Sequence, residues 1–139
     1  MYNEIVTDPL EPEDLWYDLK ANINLLKELE IPEVLLFFGF SWGQHVYEDK
    51  WVDRPTPTAQ IEEQIRQVET KDFGQIGHDN LYLTVPAFQV KIVYSHESDI
   101  SLSYGQENPF VTAIINRWSE QRWLLVHWSK QKRLAAKKT

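Results

Sequence analysis

Three short runs of alternating residues between positions 81 and 104 constrain this chain more than any other feature. Leu81, Leu83 and Val85 alternate with Tyr82 and Thr84. Phe88, Val90, Ile92 and Tyr94 alternate with Gln89, Lys91, Val93 and Ser95, and Ile100, Leu102 and Tyr104 with Ser101 and Ser103. Successive side chains of a strand point to opposite faces, so a period of two marks strands with one buried and one wet face. The connections, Pro86-Ala87 and residues 96–99, are short. Short connections join antiparallel neighbours, so the three runs predict a β-meander.

The flanking segments carry helical signals. Pro12 suits a first helical turn, and Leu15, Leu19, Ile23 and Leu26 recur at helical spacing over residues 12–30 before Pro32 stops the pattern. Residues 34–42 form a continuous apolar run bounded by Pro and Gly, which reads as a strand buried on both faces. Residues 45–52 are a weaker candidate to pair back onto it. Pro55 and Pro57 are expected to open a short helix with Ile61, Ile65 and Val68 on one face. Residues 72–80, with Gly74 and Gly77, read as a loop. Asn108 is a good helix cap and Pro109 a good first helical residue, with Phe110, Ile114 and Trp118 on the core face. The run over residues 123–128 fits a helix or a closing strand equally well. Residues 130–139 read as a frayed basic tail. With 139 residues, 42% of them apolar, the expectation is one α+β domain: an antiparallel meander packed against two or three helices.

Charge and composition exclude several functions. There is no cysteine, which removes disulfides, thiolate nucleophiles, zinc–cysteine sites and iron–sulfur clusters. The N-terminal residues carry early acids and no apolar run, unlike a secretory signal, and the longest apolar run is too short to span a bilayer. Cytoplasmic residence is therefore expected. The net charge of −7 is unevenly spread. Residues 1–129 hold 9 basic and 21 acidic residues, net −12, while Lys130, Lys132, Arg133, Lys137 and Lys138 give the tail +5. An acidic body repels phosphate backbones, so duplex nucleic acid is not an expected partner. It attracts a basic protein surface and speeds encounter with it.

Residues with chemical potential fall into four groups. Gly39, Ser41 and Gly43 match the G-x-S-x-G nucleophile elbow after an apolar strand and resemble the elbow of α/β-hydrolases, for which Asp99 and His127 would complete the chain order. That likeness covers five residues, with too little chain before Ser41 for a hydrolase sheet. The connection around His96, Glu97 and Asp99 offers acid–base groups on a loop, as do His78 and Asp79. No H-x-x-x-H or H-E-x-x-H pair occurs, so no metal and no cofactor is expected. Trp42 and Trp51 flank the acidic Tyr47-Glu48-Asp49 segment with Asp53 beyond it, and Trp118, Trp123 and Trp128 crowd the C-terminal part. Exposed tryptophan beside acids is what a site for a basic protein looks like.

Two functional expectations follow. The first is a non-enzymatic protein-binding domain whose acidic surface docks a basic partner, using Trp42, Tyr47, Glu48, Asp49, Trp51, Asp53, His78, Asp79, His96, Glu97 and Asp99. In size, charge and composition the chain resembles the immunity proteins that neutralise bacterial toxins, many of them basic nucleases. The resemblance covers no aligned motif, so no residue roles are carried over from it. The second expectation is a small enzyme or ligand-binding domain with a site of His78, His96 and nearby carboxylates beside the meander. It requires a pocket that joins those residues.

Overall fold

The computed structural model describes residues 3–38, 53–71 and 74–129, the last six of these as backbone. Among the described residues seven strands and three helices follow one another: β1 (Asn3–Thr7), α1 (Pro12–Glu28), β2 (Glu33–Phe38), β3 (Arg54–Pro57), α2 (Ile61–Thr70), β4 (Leu81–Val85), β5 (Val90–Tyr94), β6 (Ile100–Tyr104), α3 (Pro109–Glu120) and β7 (Leu124–Ser129). The strands form one sheet in the order β3-β2-β4-β5-β6-β1-β7, and every adjacent pair is antiparallel. The molecule is an α+β fold.

Register turns the alternation into a core. Leu36, Leu83, Ile92, Leu102 and Ile5 lie side by side across five strands, and each is at most 1% exposed. These residues and the buried stripes of α1, α2 and α3 form one cluster, so the helices cover this face of the sheet. The neighbouring row, Leu35, Thr84, Lys91, Ser103 and Glu4, lies on the opposite face, where all but exposed Lys91 are half-buried. On the same face Phe37 meets the Tyr82 ring edge-on at 5.7 Å, and Lys91 Nζ lies 5.0 Å over that ring.

The meander strands appear where the alternation places them. Phe88 differs: it belongs to a 3-10 turn, Pro86–Phe88, closed by Gln89 in the left-handed region at φ 53°. Pro55 and Pro57 also differ from expectation. They stand in strand β3, and the helix begins only at Ile61, after a 3-10 turn over Thr58–Gln60. Proline is admissible there because β3 is an edge strand. The weaker strand candidate at residues 45–52 lies outside the described residues, as do residues 39–42 of the apolar run and all of the basic tail.

Two helices end in the same way, and the second ending explains the segment that sequence left open. At the end of α1, Glu30 takes φ 59°; its N–H donates to Lys27 O and that of Ile31 to Leu26 O. At the end of α3, Arg122 takes φ 60°, with Arg122 N–H donating to Ser119 O and Trp123 N–H to Trp118 O. Both are Schellman closures built on a non-glycine residue. The second turns the chain back at Trp123, so the run that follows becomes β7, paired with β1 from Asn3↔Ser129 to Thr7↔Leu124. Asn108 caps α3 as expected, accepting from Val111 N–H at 3.0 Å.

Candidate functional site

One end of the sheet gathers the loops that carry the sequence-predicted residues. Phe38, Leu81, Tyr94 and Ile100 stand side by side there. Segments 8–11, 74–80, 95–99 and 121–123 therefore meet above them, and Asp53 lies just before β3 at the same end.

Short polar contacts fix these loops. Asp79 Oδ2 accepts from Gln75 N–H at 2.9 Å and closes the turn that displays exposed His78. Asn80 ties the two main loops together: its Oδ1 accepts from His96 N–H at 2.7 Å and lies 3.0 Å from His96 Nδ1. Asp99 Oδ1 accepts from Ser95 Oγ at 2.6 Å, and Ser95 Oγ accepts from Glu97 N–H at 2.9 Å. Ser98 Oγ donates to Gly77 O at 3.3 Å, and Ser98 O accepts from Leu10 N–H at 2.8 Å. Gly77 is required where it stands. Its φ is 94°, and an added Cβ would lie 3.3 Å from both Leu15 Cδ1 and Ser98 Oγ.

The expected residues thus divide. Asp79 and Asp99 hold turns, whereas Asp53, His78, His96 and Glu97 are exposed on the rim. His96 Nε2 is 3.7 Å from Glu97 Oε1, with side chains 59% and 73% exposed, so water screens the pair heavily. Among the described residues no group of three His, Asp or Glu side chains could hold a metal ion. Trp42, Tyr47, Glu48, Asp49 and Trp51 lie outside the described residues, as does the Gly39-to-Gly43 motif. Trp118 and Trp123 belong to the core at 0% and 9% exposure, so neither is a free interface anchor. The exposed large aromatic among the described residues is Tyr17, 51% exposed, whose ring meets Trp123 edge-on at 6.1 Å.

Beneath this end is a polar cluster that alternation could not indicate. Asp18 and Asn22 are fully buried on α1, between Leu15, Leu19, Ile23 and Leu26. Asp18 Oδ1 accepts from Trp118 Nε1 at 2.8 Å and from Arg117 Nε at 3.0 Å. Its Oδ2 accepts from Tyr94 OH at 2.9 Å and from Asn22 Nδ2 at 3.1 Å. Asn22 Nδ2 also donates to Tyr94 OH at 2.8 Å, and Arg117 donates to Asn22 Oδ1. Four donors use the acceptor capacity of one carboxylate. The cluster joins α1, α3 and β5 and leaves no atom of Asp18 for a substrate. Its signal in the sequence is two polar residues set into an apolar helical stripe.

Burial, then the charge of Asp18, push the Tyr94 phenol well above its ordinary pKa of 10.0. The neutral form is favoured in the fold, so this stability is present below pH 10 and is lost as pH rises toward the folded-state pKa. Denaturation titrations of wild type should therefore show a decline above pH 10 that Tyr94→Phe lessens by about 1.4 kcal/mol per pH unit. An identical slope in the variant would contradict this.

The described residues also line an open depression of about 830 Å³ on the face opposite the helices, bounded by Thr84, Pro86, Gln89, Lys91, Ser103 and Gly105. It lies at the opposite end of the strands from His78 and His96. No helix among the described residues is long and apolar enough to cross a membrane. No family model matches this chain, and no curated protein or solved structure is significantly similar to it.

Proposed function

We propose that this chain is a one-domain, non-enzymatic binding protein of the cytoplasm whose acidic loop end docks a basic protein. The observation that carries the reading is the charge gathered at that end. Asp8, Glu11, Glu13, Asp14, Asp53, Glu69, Asp79, Glu97 and Asp99 lie there, against the cations Arg54, Lys71 and Arg122. A field of one sign on a rim of braced loops speeds association with an oppositely charged surface and sets its orientation. The bracing matters because a preformed rim loses little conformational freedom on binding. The likeness in size, charge and composition to immunity proteins points the same way: to a basic toxin as partner.

The competing enzymatic reading needs a cavity that joins His78, His96 and a carboxylate. The depression described above lies at the other end of the sheet, so it lends that reading no support.

The test is affinity capture from lysate of the source cell at low and high salt, with partners identified by mass spectrometry. A dominant basic protein held at low salt, and held less at high salt, is expected. Recovery of no specific partner at low salt, or of an acidic one insensitive to salt, would contradict the proposal.

A further inference from the structure

Asn80 decides where the hydrogen of the His96 ring sits. Its Oδ1 lies 2.7 Å from His96 N–H, and a backbone amide can only donate, so this arm of the Asn80 amide is the oxygen. Its Nδ2 donates to Tyr82 OH at 3.2 Å, which fits the same orientation. His96 Nδ1 is 3.0 Å from Asn80 Oδ1, and that oxygen can only accept, so Nδ1 carries the hydrogen. A neutral imidazole has one such hydrogen, which leaves a lone pair on Nε2. Nε2 is 3.7 Å from Glu97 Oε1, and both side chains are exposed at the loop end. With His96 neutral, two acceptors therefore stand side by side on the rim.

We infer that His96 Nε2 and the Glu97 carboxylate form a proton-controlled acceptor pair, which takes an arginine side chain of the basic partner at neutral pH and releases it in mild acid. A guanidinium presents several N–H groups in a rigid fork, so it can donate to the imidazole nitrogen with one and to the carboxylate with another. Histidine side chains take up their second proton between about pH 8 and 5, a range in which carboxylates stay largely ionised. On His96 that proton goes to Nε2, because Nδ1 already holds one. Nε2 then becomes a donor to Glu97, and a positive charge stands where the guanidinium would lie. Asn80 Oδ1 holds Nδ1–H in both states, so the ring keeps its place while its outer nitrogen changes role. The adjoining segments carry other charges. Asp79 and Asp99 close turns, Asp8 and Glu11 flank Leu10, whose N–H donates to Ser98 O, and exposed His78 is a second group that gains a proton. Those charges act on any cation at this end, whereas the acceptor pair acts through one contact, so substitutions at His96 and at His78 separate the two. The occupant comes from the basic-partner reading, on which this inference rests. The proton positions belong to the chain alone, so the two can fail separately.

The test uses the purified full chain and a hexa-arginine peptide as probe. Nitrogen NMR of the imidazoles at pH 8 should show His96 with its hydrogen on Nδ1; a hydrogen on Nε2 would overturn the inference without any substitution. At about 20 mM salt, hexa-arginine should bind at least about fivefold more weakly at pH 5.5 than at pH 8. His96→Gln should reduce this pH effect to under about twofold, whereas His78→Gln should leave most of it. Glu97→Gln should weaken binding at pH 8 by at least about threefold. A pH effect that survives His96→Gln, or hexa-lysine binding as tightly as hexa-arginine at pH 8, would overturn the inference. So would a captured basic partner held equally well at both pH values, and that result would leave the reading of function standing. Absence of a basic partner would count against that reading instead, since the peptide measurements do not use it.

Discussion

Replacing Asp18 with alanine should lower the unfolding free energy by about 3–5 kcal/mol, the usual cost of removing one partner of a buried ion pair. Arg117, whose side chain is 14% exposed, would lose its carboxylate partner and keep its contact with Asn22, and the Trp118 indole and Tyr94 hydroxyl would each lose an acceptor. Domains of this size are stable by about 5–15 kcal/mol, so the variant should stand close to unfolding at room temperature. Asp18→Asn keeps the shape but sets an amide donor against one of the two donor pairs. Its expected cost is about 2 kcal/mol, from the unmet hydrogen bond. Urea denaturation followed by tryptophan fluorescence measures both. A loss below about 1 kcal/mol for Asp18→Ala would show that the cluster is not a major brace of α1, α3 and β5.

The second large effect separates neighbours. Leu83→Ala should cost about 2–5 kcal/mol, because Leu83 is fully buried in the central row between Leu36 and Ile92. Thr84→Ala, one residue on, alters a half-buried position on the other face and should cost under about 1 kcal/mol. Similar losses at the two positions would contradict the one-sided placement of the helices.

The meander was legible because each of its strands has one face against helices and one toward solvent, so burial writes itself into every second residue. The α1 stripe was legible for the same reason at helical period. Other parts were obscured by identifiable physics. Strand β1 is five residues long and buries only Ile5 and Thr7, too few to make a pattern. Pro55 and Pro57 suit a first helical turn and the outward positions of an edge strand equally, and only the β2 partner decides between them. Strand β7 was ambiguous because α3 is stopped by Arg122 in a left-handed conformation, where a glycine would have announced the turn. At the candidate site, His78, His96 and Glu97 were visible as polar loop residues. Asn80, which links their loops, is an ordinary residue until the two loops are seen side by side.

The acidic rim is the centre of the functional account, and the association rate of the captured basic partner tests it most directly. The measurement compares wild type with Glu13→Gln/Asp53→Asn/Glu97→Gln, which neutralises three exposed acids and leaves the turn-closing Asp79 and Asp99 intact. At about 20 mM salt the variant should associate at least about tenfold more slowly than wild type, and at about 500 mM the two rates should converge. Equal rates for the two proteins at low salt, with no dependence on salt, would contradict docking through this end of the molecule.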